Sequence, residues 1–276
     1  MTANTEPLLR FTNSPLDEFF MGVQFNAIPN FSNGHFGWFW KNYLDHDWTK
    51  ALDASYLPDA FEHFGQERQW AIPGVSLQAH GGADRLQVIS ADDERVIQIQ
   101  NTRFLYNWRK RKLEYPSFVT TYPDFRDKWE LFQTFLKDAN LGQTTPNQWE
   151  ICYINSISKG TLWNSPADWS SILPGLLPQD RLAGLVEFEN LASEYRYEIP
   201  SKRGRIRIAI QHARSVEHDG PEFLKLQLMA RGPIVAGMPE WNLDSGLNLG
   251  HRVLVETFER ISSPEAKSFW GRQEIQ

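Results

Sequence analysis

The stretch Arg205-Ile206-Arg207-Ile208-Ala209-Ile210-Gln211 decides the fold class, because apolar and polar residues alternate along it with a period of two. In a strand, this alternation places the three isoleucines on one face and the polar side chains on the other. The stretch Phe223–Arg231 repeats the pattern with Leu224, Leu226 and Leu228. Strands with one apolar and one polar face are typical of an antiparallel sheet, so we expect such a sheet here.

Other segments add strands and helices on both sides of these two. Short apolar runs bounded by turn residues predict strands over 19–25, 86–89, 149–157, 182–189 and 195–199. Apolar residues at helical spacing predict helices over 35–44, 125–139 and 244–261. We expect Pro123 and Asp124 to start the second helix, and Ser263 with Pro264 to start a short terminal helix.

The order of elements is the same in the two halves of the chain: strand, aromatic segment, several strands, long helix. We therefore expect an α+β fold of two tandem α+β units, each a curved antiparallel sheet with a helix packed across it, related by a pseudo-two-fold axis. The first unit covers 1–141 and the second covers 147–276. Residues 142–146 are rich in Gly, Thr and Pro, which is typical of a boundary between units.

The segment Val96–Arg109 is the longest predicted strand, and strict alternation along it gives a poor core face. One β-bulge near Asn101 and Thr102 restores the pattern. The apolar face then consists of Ile97, Ile99, Phe104, Tyr106 and Trp108, and the polar face of Gln98, Gln100, Arg103, Asn107 and Arg109. We therefore predict a single long bulged strand whose outer face is polar and basic.

The composition excludes several classes of protein. The 276 residues include 28 Lys and Arg against 34 Asp and Glu, a net charge of −6 that disfavours a protein coating phosphate backbones. The N-terminal residues lack the pattern of a signal peptide, and no apolar run approaches the roughly 18–20 residues of a membrane span. The single cysteine, Cys152, excludes an internal disulfide. We therefore expect a cytoplasmic protein that does not associate with membranes.

Several short segments carry a resemblance to a family. They are Phe20–Phe25, Val96–Gln100 leading to Asn107-Trp108-Arg109, Tyr115-Pro116, Tyr153-Ile154-Asn155, and the C-terminal Gly250-His251, Phe258–Ile261 and Pro264-Glu265. The chain resembles, over nearly its whole length, a sporadically distributed bacterial family of uncharacterised proteins of about this length. The resemblance implies no activity, cofactor or catalytic residue. Patchy occurrence of this kind implies a setting among mobile or defence-associated genes.

The polar face of Val96–Arg109 supplies the first candidate site. Arg103, Asn107 and Arg109 would lie together on the sheet, where the arginine forks suit a small anionic or planar ligand. The alternative is that these side chains cover the sheet and pair with helix acids such as Asp124, Asp127 or Glu130, which is the more frequent arrangement.

Two basic runs supply the second candidate site. The first is Arg109, Lys110, Arg111 and Lys112, and the second contains Lys202, Arg203, Arg205 and Arg207 around Gly204, which suits a hairpin turn. A nucleic-acid site requires both runs on one surface with aromatic side chains for stacking. The alternative, which the acidic total favours, is two solvated turns.

The 11 tryptophans exceed what a core of this size needs. Trp40, Trp108 and Trp129 fall on predicted core faces, whereas Trp38, Trp163, Trp169 and Trp270 do not. These four are the candidates for a protein partner or for self-association, since Trp is enriched at binding hot spots. His251 lies on the apolar stripe of the 244–261 helix, where a hydrogen-bonded core histidine is the usual outcome.

The motifs for nucleophilic catalysis, nucleotide binding and zinc binding are absent, and no pair of carboxylates is distinguished as acid and base. We therefore expect no cofactor and no metal. The sequence favours a non-catalytic binding or interaction protein, with a nucleic-acid-associated component of a defence or toxin–antitoxin system as the alternative. An enzyme with dispersed catalytic residues ranks third, and it would show as a deep pocket lined by several titratable groups.

Overall fold

A computed structural model describes residues 10–65, 85–112, 115–177, 184–214 and 220–273. Its main feature is one antiparallel sheet of nine strands that includes both halves of the chain. The prediction of an α+β fold with an antiparallel sheet is confirmed. A separate sheet was expected in each half, but the two halves instead join edge to edge in a single sheet.

The sheet is built from strands on either side of a central pair. That pair is β2, Leu16–Phe25, and β7, Pro146–Ser158. Outward from β2 lie β6 (Arg103–Arg109), β5 (Arg95–Gln100), β4 (Arg85–Ser90) and β3 (Trp48–Ala54). Outward from β7 lie β10 (Glu222–Pro233), β9 (Gly204–Arg214) and β8 (Ala192–Ile199). A separate two-stranded ribbon pairs β1, Arg10–Phe11, with β11, Arg272–Gln273.

The long helices pack on one side of the sheet. They are α1, Asn33–Tyr43, α2, Phe118–Asp138, and α4, Leu243–Ile261. Two short helices, α3 (Trp169–Ile172) and α5 (Pro264–Phe269), complete the set. The core lies between the long helices and the sheet face that carries the isoleucines of β9 and the leucines of β10. The alternation that predicted these strands therefore also identified the buried face.

The segment 96–109 is not a bulged strand. It forms the hairpin of β5 and β6, in which Gln100 pairs with Arg103 and the two-residue turn is Asn101-Thr102. A two-residue turn shifts the alternation as one bulge does, so the predicted faces are correct although the connection is wrong. The side chains predicted for the apolar face all belong to the core: Ile97, Ile99, Phe104, Tyr106 and Trp108.

The second long helix begins earlier than predicted. It starts at Phe118 rather than near Asp124, and Pro123 lies inside it. Proline removes one intrahelical hydrogen bond, and the carbonyl it leaves unpaired is that of Val119, an exposed residue in the first turn. Burial of Phe118 and Thr121 in the same turn offsets this loss. The tertiary contacts of the first turn therefore override the helix-starting signal of the proline.

Two further predictions are wrong in part. The strand over 182–189 falls partly on residues outside the described ranges, and residues 184–189 form a turn, one isolated bridge residue and irregular chain. The turn between β8 and β9 is not centred on Gly204. Ser201 and Lys202 adopt the left-handed conformation there, with φ of 61° and 57°. Gly204 instead begins β9, where an added Cβ would stand 2.6 Å from the carbonyl oxygen of Arg231.

Candidate functional site

A cavity of about 520 Å³ lies at the helix-covered face of the sheet. Its walls come from β7 and β10 of the sheet, the start of α2, the second half of α4, and the N-terminal residues 10–16. Most of the lining is apolar, contributed by Phe11, Leu16, Phe118, Leu228, Leu254 and Phe258. A volume of this size and an apolar lining with a few polar groups are typical of a small-molecule site.

Three polar side chains of the wall belong to a hydrogen-bonded chain of four. The hydroxyl of Tyr153 lies 2.6 Å from Nδ1 of His251. The Tyr115 hydroxyl interacts with that of Tyr153 and lies 3.2 Å from Oγ1 of Thr121. The chain therefore links β7, α2 and α4, and three of its four members line the cavity.

The imidazole of His251 is fixed in position by stacking as well. Its ring lies parallel to that of Phe118, with centroids 4.1 Å apart and an interplanar angle of 9°. Phe118 is the first residue of α2, so the start of this helix holds the histidine of α4 against Tyr153 of the sheet. The contact joins three elements that are distant in sequence.

Burial keeps all three ring systems uncharged. It lowers the pKa of His251 to about 4 and raises the pKa values of Tyr115 and Tyr153 well above the ordinary value of a phenol. At neutral pH, Nδ1 of the uncharged imidazole can accept a hydrogen bond from the Tyr153 hydroxyl. The wall of the cavity thus offers neutral hydrogen-bonding groups in fixed positions.

The residue before α2 has an unusual backbone conformation. Ser117, which also lines the cavity, has φ of 98° and ψ of 158°, a region that is essentially restricted to glycine. The side chain of Ser117 makes no N-cap hydrogen bond to the helix. The strain is therefore not offset by capping, and it sets the direction in which Phe118 enters the cavity wall.

The predicted polar site lies on the opposite face of the sheet. Arg103 is buried beside Glu150 of β7, with its Nε 3.3 Å from Oε1 in the geometry of an ion pair rather than of an aligned hydrogen bond. Arg231 of β10 donates to the other carboxylate oxygen at 2.7 Å. Asn107 donates to Glu18 at 2.7 Å, and Arg109 pairs with Asp93 at 2.6 Å.

The three partner acids, Glu150, Glu18 and Asp93, lie on two strands and in a turn. The alternative interpretation is therefore correct that acids pair with these side chains. It is wrong that the acids are the helix residues Asp124, Asp127 or Glu130. Residues 55–64 lie across part of this face, since Arg103 also donates to the carbonyl oxygen of Pro58 at 3.1 Å. Arg205 likewise pairs with Glu62. The sheet face that was expected to be open is covered at Arg103 and Arg205.

The two basic runs lie apart. Arg109 ends β6 and Arg205 lies in β9, and three strands separate β6 from β9. Four interstrand spacings of about 4.8 Å put them roughly 19 Å apart across the sheet. Several members are engaged within the fold: Arg109 and Arg111 with Asp93, Arg205 and Arg207 with Glu62, and Arg203 with Trp241. The runs 109–112 and 202–207 therefore do not form one continuous surface.

Three of the four candidate tryptophans are buried. Trp163 and Trp169 are 1% and 0% exposed and pack against each other and His212, and Trp270 is 2% exposed against Phe258. The expectation that these three lie outside the core is wrong, because Trp163 and Trp169 pack against His212 of β9 and Trp270 packs against Phe258 of α4. Trp38, at 42% exposed, is the one that remains accessible.

The cavity is not predictable from local sequence patterns. The helical stripe predicts a core position for His251, and Tyr115 and Tyr153 stand out only as members of the segments that carry the family resemblance. The available signal is a histidine on an apolar helix stripe, together with Tyr153 inside a strand and Tyr115 in the connection before a helix. Their convergence depends on pairings between distant segments, which periodicity does not report.

The sequence matches no protein-family model and no curated protein. Within the described ranges, no helix is long and apolar enough to cross a membrane. The same part of the chain contains no cluster of three or more His, Cys, Asp or Glu side chains suited to a metal ion. The resemblance to the bacterial family therefore stays a prediction.

Proposed function

We propose that this protein is a non-catalytic binding protein that holds a small, mainly apolar molecule in the cavity between the sheet, α2 and α4. The observation that carries the proposal is the chain of Tyr115, Tyr153 and His251 along an otherwise apolar wall. Apolar walls supply affinity through burial, and a few fixed polar groups set the orientation of the ligand.

Binding is favoured over catalysis because His251, Tyr115 and Tyr153 are all uncharged at neutral pH. A general acid or base works best with a pKa near the operating pH. Burial moves the pKa values of His251 and of both tyrosines away from neutrality, in opposite directions. A pocket lined by titratable groups was the expected sign of an enzyme, but these groups are held in their neutral forms and suit recognition.

The tandem arrangement is part of the same proposal. We interpret the two halves as α+β units related by a pseudo-two-fold axis near the β2–β7 pair. In each half, the last strand of the sheet lies beside the first, β6 beside β2 and β10 beside β7, and the remaining strands follow outward in reverse order.

The biological setting is a further part of the proposal. A role in bacterial defence or mobile elements rests on the family resemblance. A protein partner or self-association rests on the exposed indole of Trp38.

The proposal is tested with the neutral fluorescent probe N-phenyl-1-naphthylamine and the full-length protein. We expect saturable binding of about one probe per chain. Val255→Phe, which fills part of the cavity, should weaken binding by about tenfold or more, because it removes the space the probe occupies. The matched control is Val235→Phe, at a partly exposed valine outside the cavity, which should bind as the wild type does.

Native mass spectrometry of protein purified from its own host supplies the second measurement. A copurifying small molecule that is lost in the Val255→Phe variant supports the proposal. The proposal is wrong if the probe does not bind, or if the two valine variants bind it equally well.

A further inference from the structure

The charge of the cavity lining restricts the chemistry of its occupant. Sixteen described residues line the cavity, and Arg10 is the one that carries a charge at neutral pH, since burial keeps His251 uncharged. Neither Asp nor Glu occurs among these sixteen residues. A site of this kind accepts neutral molecules and anions, and it disfavours cations.

Arg10 is held at the cavity by the ribbon of β1 and β11. It pairs with Gln273, and the following Thr12 donates its backbone N–H to the carbonyl oxygen of Gly271 at 3.1 Å. Its neighbour Phe11 packs edge-on against Phe258, with ring centroids 5.2 Å apart. The ribbon therefore anchors Arg10 at the solvent-facing margin of an apolar wall.

The guanidinium of Arg10 is available to a ligand. Arg10 is exposed and makes no ion pair with any residue in the part of the chain that the structure describes. Other arginines of the described chain are engaged by acids, as Arg103, Arg109 and Arg205 are. An unpaired guanidinium beside an apolar cavity is suited to a carboxylate, which it can bind through two parallel hydrogen bonds.

Most of the remaining wall is apolar. Phe118, Leu228, Leu254 and Phe258 face the cavity without a charged side chain among them. An alkyl chain or aryl group would lose water-exposed apolar surface against these residues at roughly 25 cal/mol per Å². The cavity thus combines one cationic group at its margin with an apolar interior.

We propose that the ligand is an amphiphilic monocarboxylic acid, such as a medium-chain fatty acid or an arylalkanoic acid. Its carboxylate binds Arg10 and its apolar part lies against Phe118, Leu254 and Phe258. This inference rests on the proposed binding function and specifies the class of ligand.

The test compares three ligands of one chain length by isothermal titration calorimetry: decanoate, decan-1-ol and decyltrimethylammonium. We expect decanoate to bind about tenfold more tightly than the alcohol, as one charge-assisted contact allows, and the cation to bind most weakly. Arg10→Gln should remove the preference for decanoate and leave the affinity for decan-1-ol within about twofold. Arg10→Lys should retain part of the preference, since it keeps the charge but loses the fork.

The matched control is Arg252→Gln, at an exposed arginine of α4 that does not line the cavity, and it should leave all three affinities unchanged. Because Arg10 is exposed, its variants should melt at the wild-type temperature, which circular dichroism checks. If decanoate and decan-1-ol bind equally well to the wild type, the ligand class is wrong while the binding function stands. If neither they nor the neutral fluorescent probe bind, the binding function itself is wrong.

Discussion

Gly246 of α4 lies directly against the indole of Trp149 in β7. A Cβ added at this glycine would stand 2.6 Å from Nε1 of Trp149, and one added at Gly250, a turn later, would stand 2.6 Å from Cζ3. Real Cβ atoms do not approach other atoms so closely. The two glycines therefore form a notch in α4 that receives the indole and sets the distance between this helix and the sheet.

Gly246→Ala should therefore destabilise the protein although alanine is the better helix former. Overpacking against a buried indole costs about 1–3 kcal/mol and alanine gains up to about 1 kcal/mol in a helix interior, so the net loss should reach about 2 kcal/mol. Urea unfolding followed by circular dichroism measures the difference. The matched control is Gly37→Ala in α1, where an added Cβ meets nothing within 4 Å. That variant should be stabilised by up to about 1 kcal/mol, and equal effects of the two variants would contradict the notch.

The stability of the protein should depend on His251 below neutral pH. The pKa of His251 is about 4 in the folded state and near the ordinary 6.5 when unfolded. Between these values the unfolded state binds a proton that the folded state does not. The free energy of unfolding therefore falls as the pH falls from 6.5 to 4, by up to about 3 kcal/mol in total, and levels off below 4.

His251→Gln should remove this part of the pH dependence. The imidazole contacts the uncharged side chains of Tyr153 and Phe118, and the Asp244–Arg126 pair begins about two helical turns away along α4. Unfolding in urea at a series of pH values from 4 to 7 gives the slopes. His46→Gln, at an exposed histidine, should retain the wild-type slope. A His251→Gln variant with an unchanged slope would show that the imidazole is not buried.

Glu150→Gln should destabilise the protein strongly. Glu150 is 2% exposed and lies between Arg103 and Arg231, so its loss leaves two buried cations without a counter-charge. Breaking a buried ion pair in this way costs about 3–5 kcal/mol. Glu130→Gln, which removes the partner of an exposed i,i+4 pair with Arg126, should cost less than about 0.5 kcal/mol. Thermal and urea unfolding of both variants supply the comparison. Similar losses of stability in the two variants would argue against burial of Glu150 between Arg103 and Arg231.

Cys152 should be unreactive in the folded protein. Its side chain is fully buried in β7, and desolvation raises the pKa of the thiol well above its usual value. Since the thiolate is the reactive form, iodoacetamide at pH 8 should alkylate the protein in denaturant and leave the native protein unlabelled after the same time. Mass spectrometry counts the adducts, and rapid labelling of native protein would contradict this placement.

Local periodicity by itself determined much of the fold. The alternation in Arg205–Gln211 and Phe223–Arg231 predicted β9, β10 and their buried faces, and the apolar stripe over 244–261 predicted α4. Both signals depend on the direction in which successive side chains project, which is a property of neighbouring residues. The same property assigned the buried and the polar face of 96–108 correctly, although the predicted β-bulge at Asn101-Thr102 is a hairpin turn.

Only the tertiary structure decided which segments cover each face. A bulge and a two-residue hairpin turn shift the alternation alike, and the pairing of Gln100 with Arg103 distinguishes them. Trp163 and Trp270 lie off every local apolar face, yet Trp169 and His212 bury the first and Phe258 of α4 packs against the second. The contact of Tyr153 with His251 joins residues 98 positions apart. Periodicity describes the direction of a side chain from its own backbone, whereas a cavity depends on which distant segments meet.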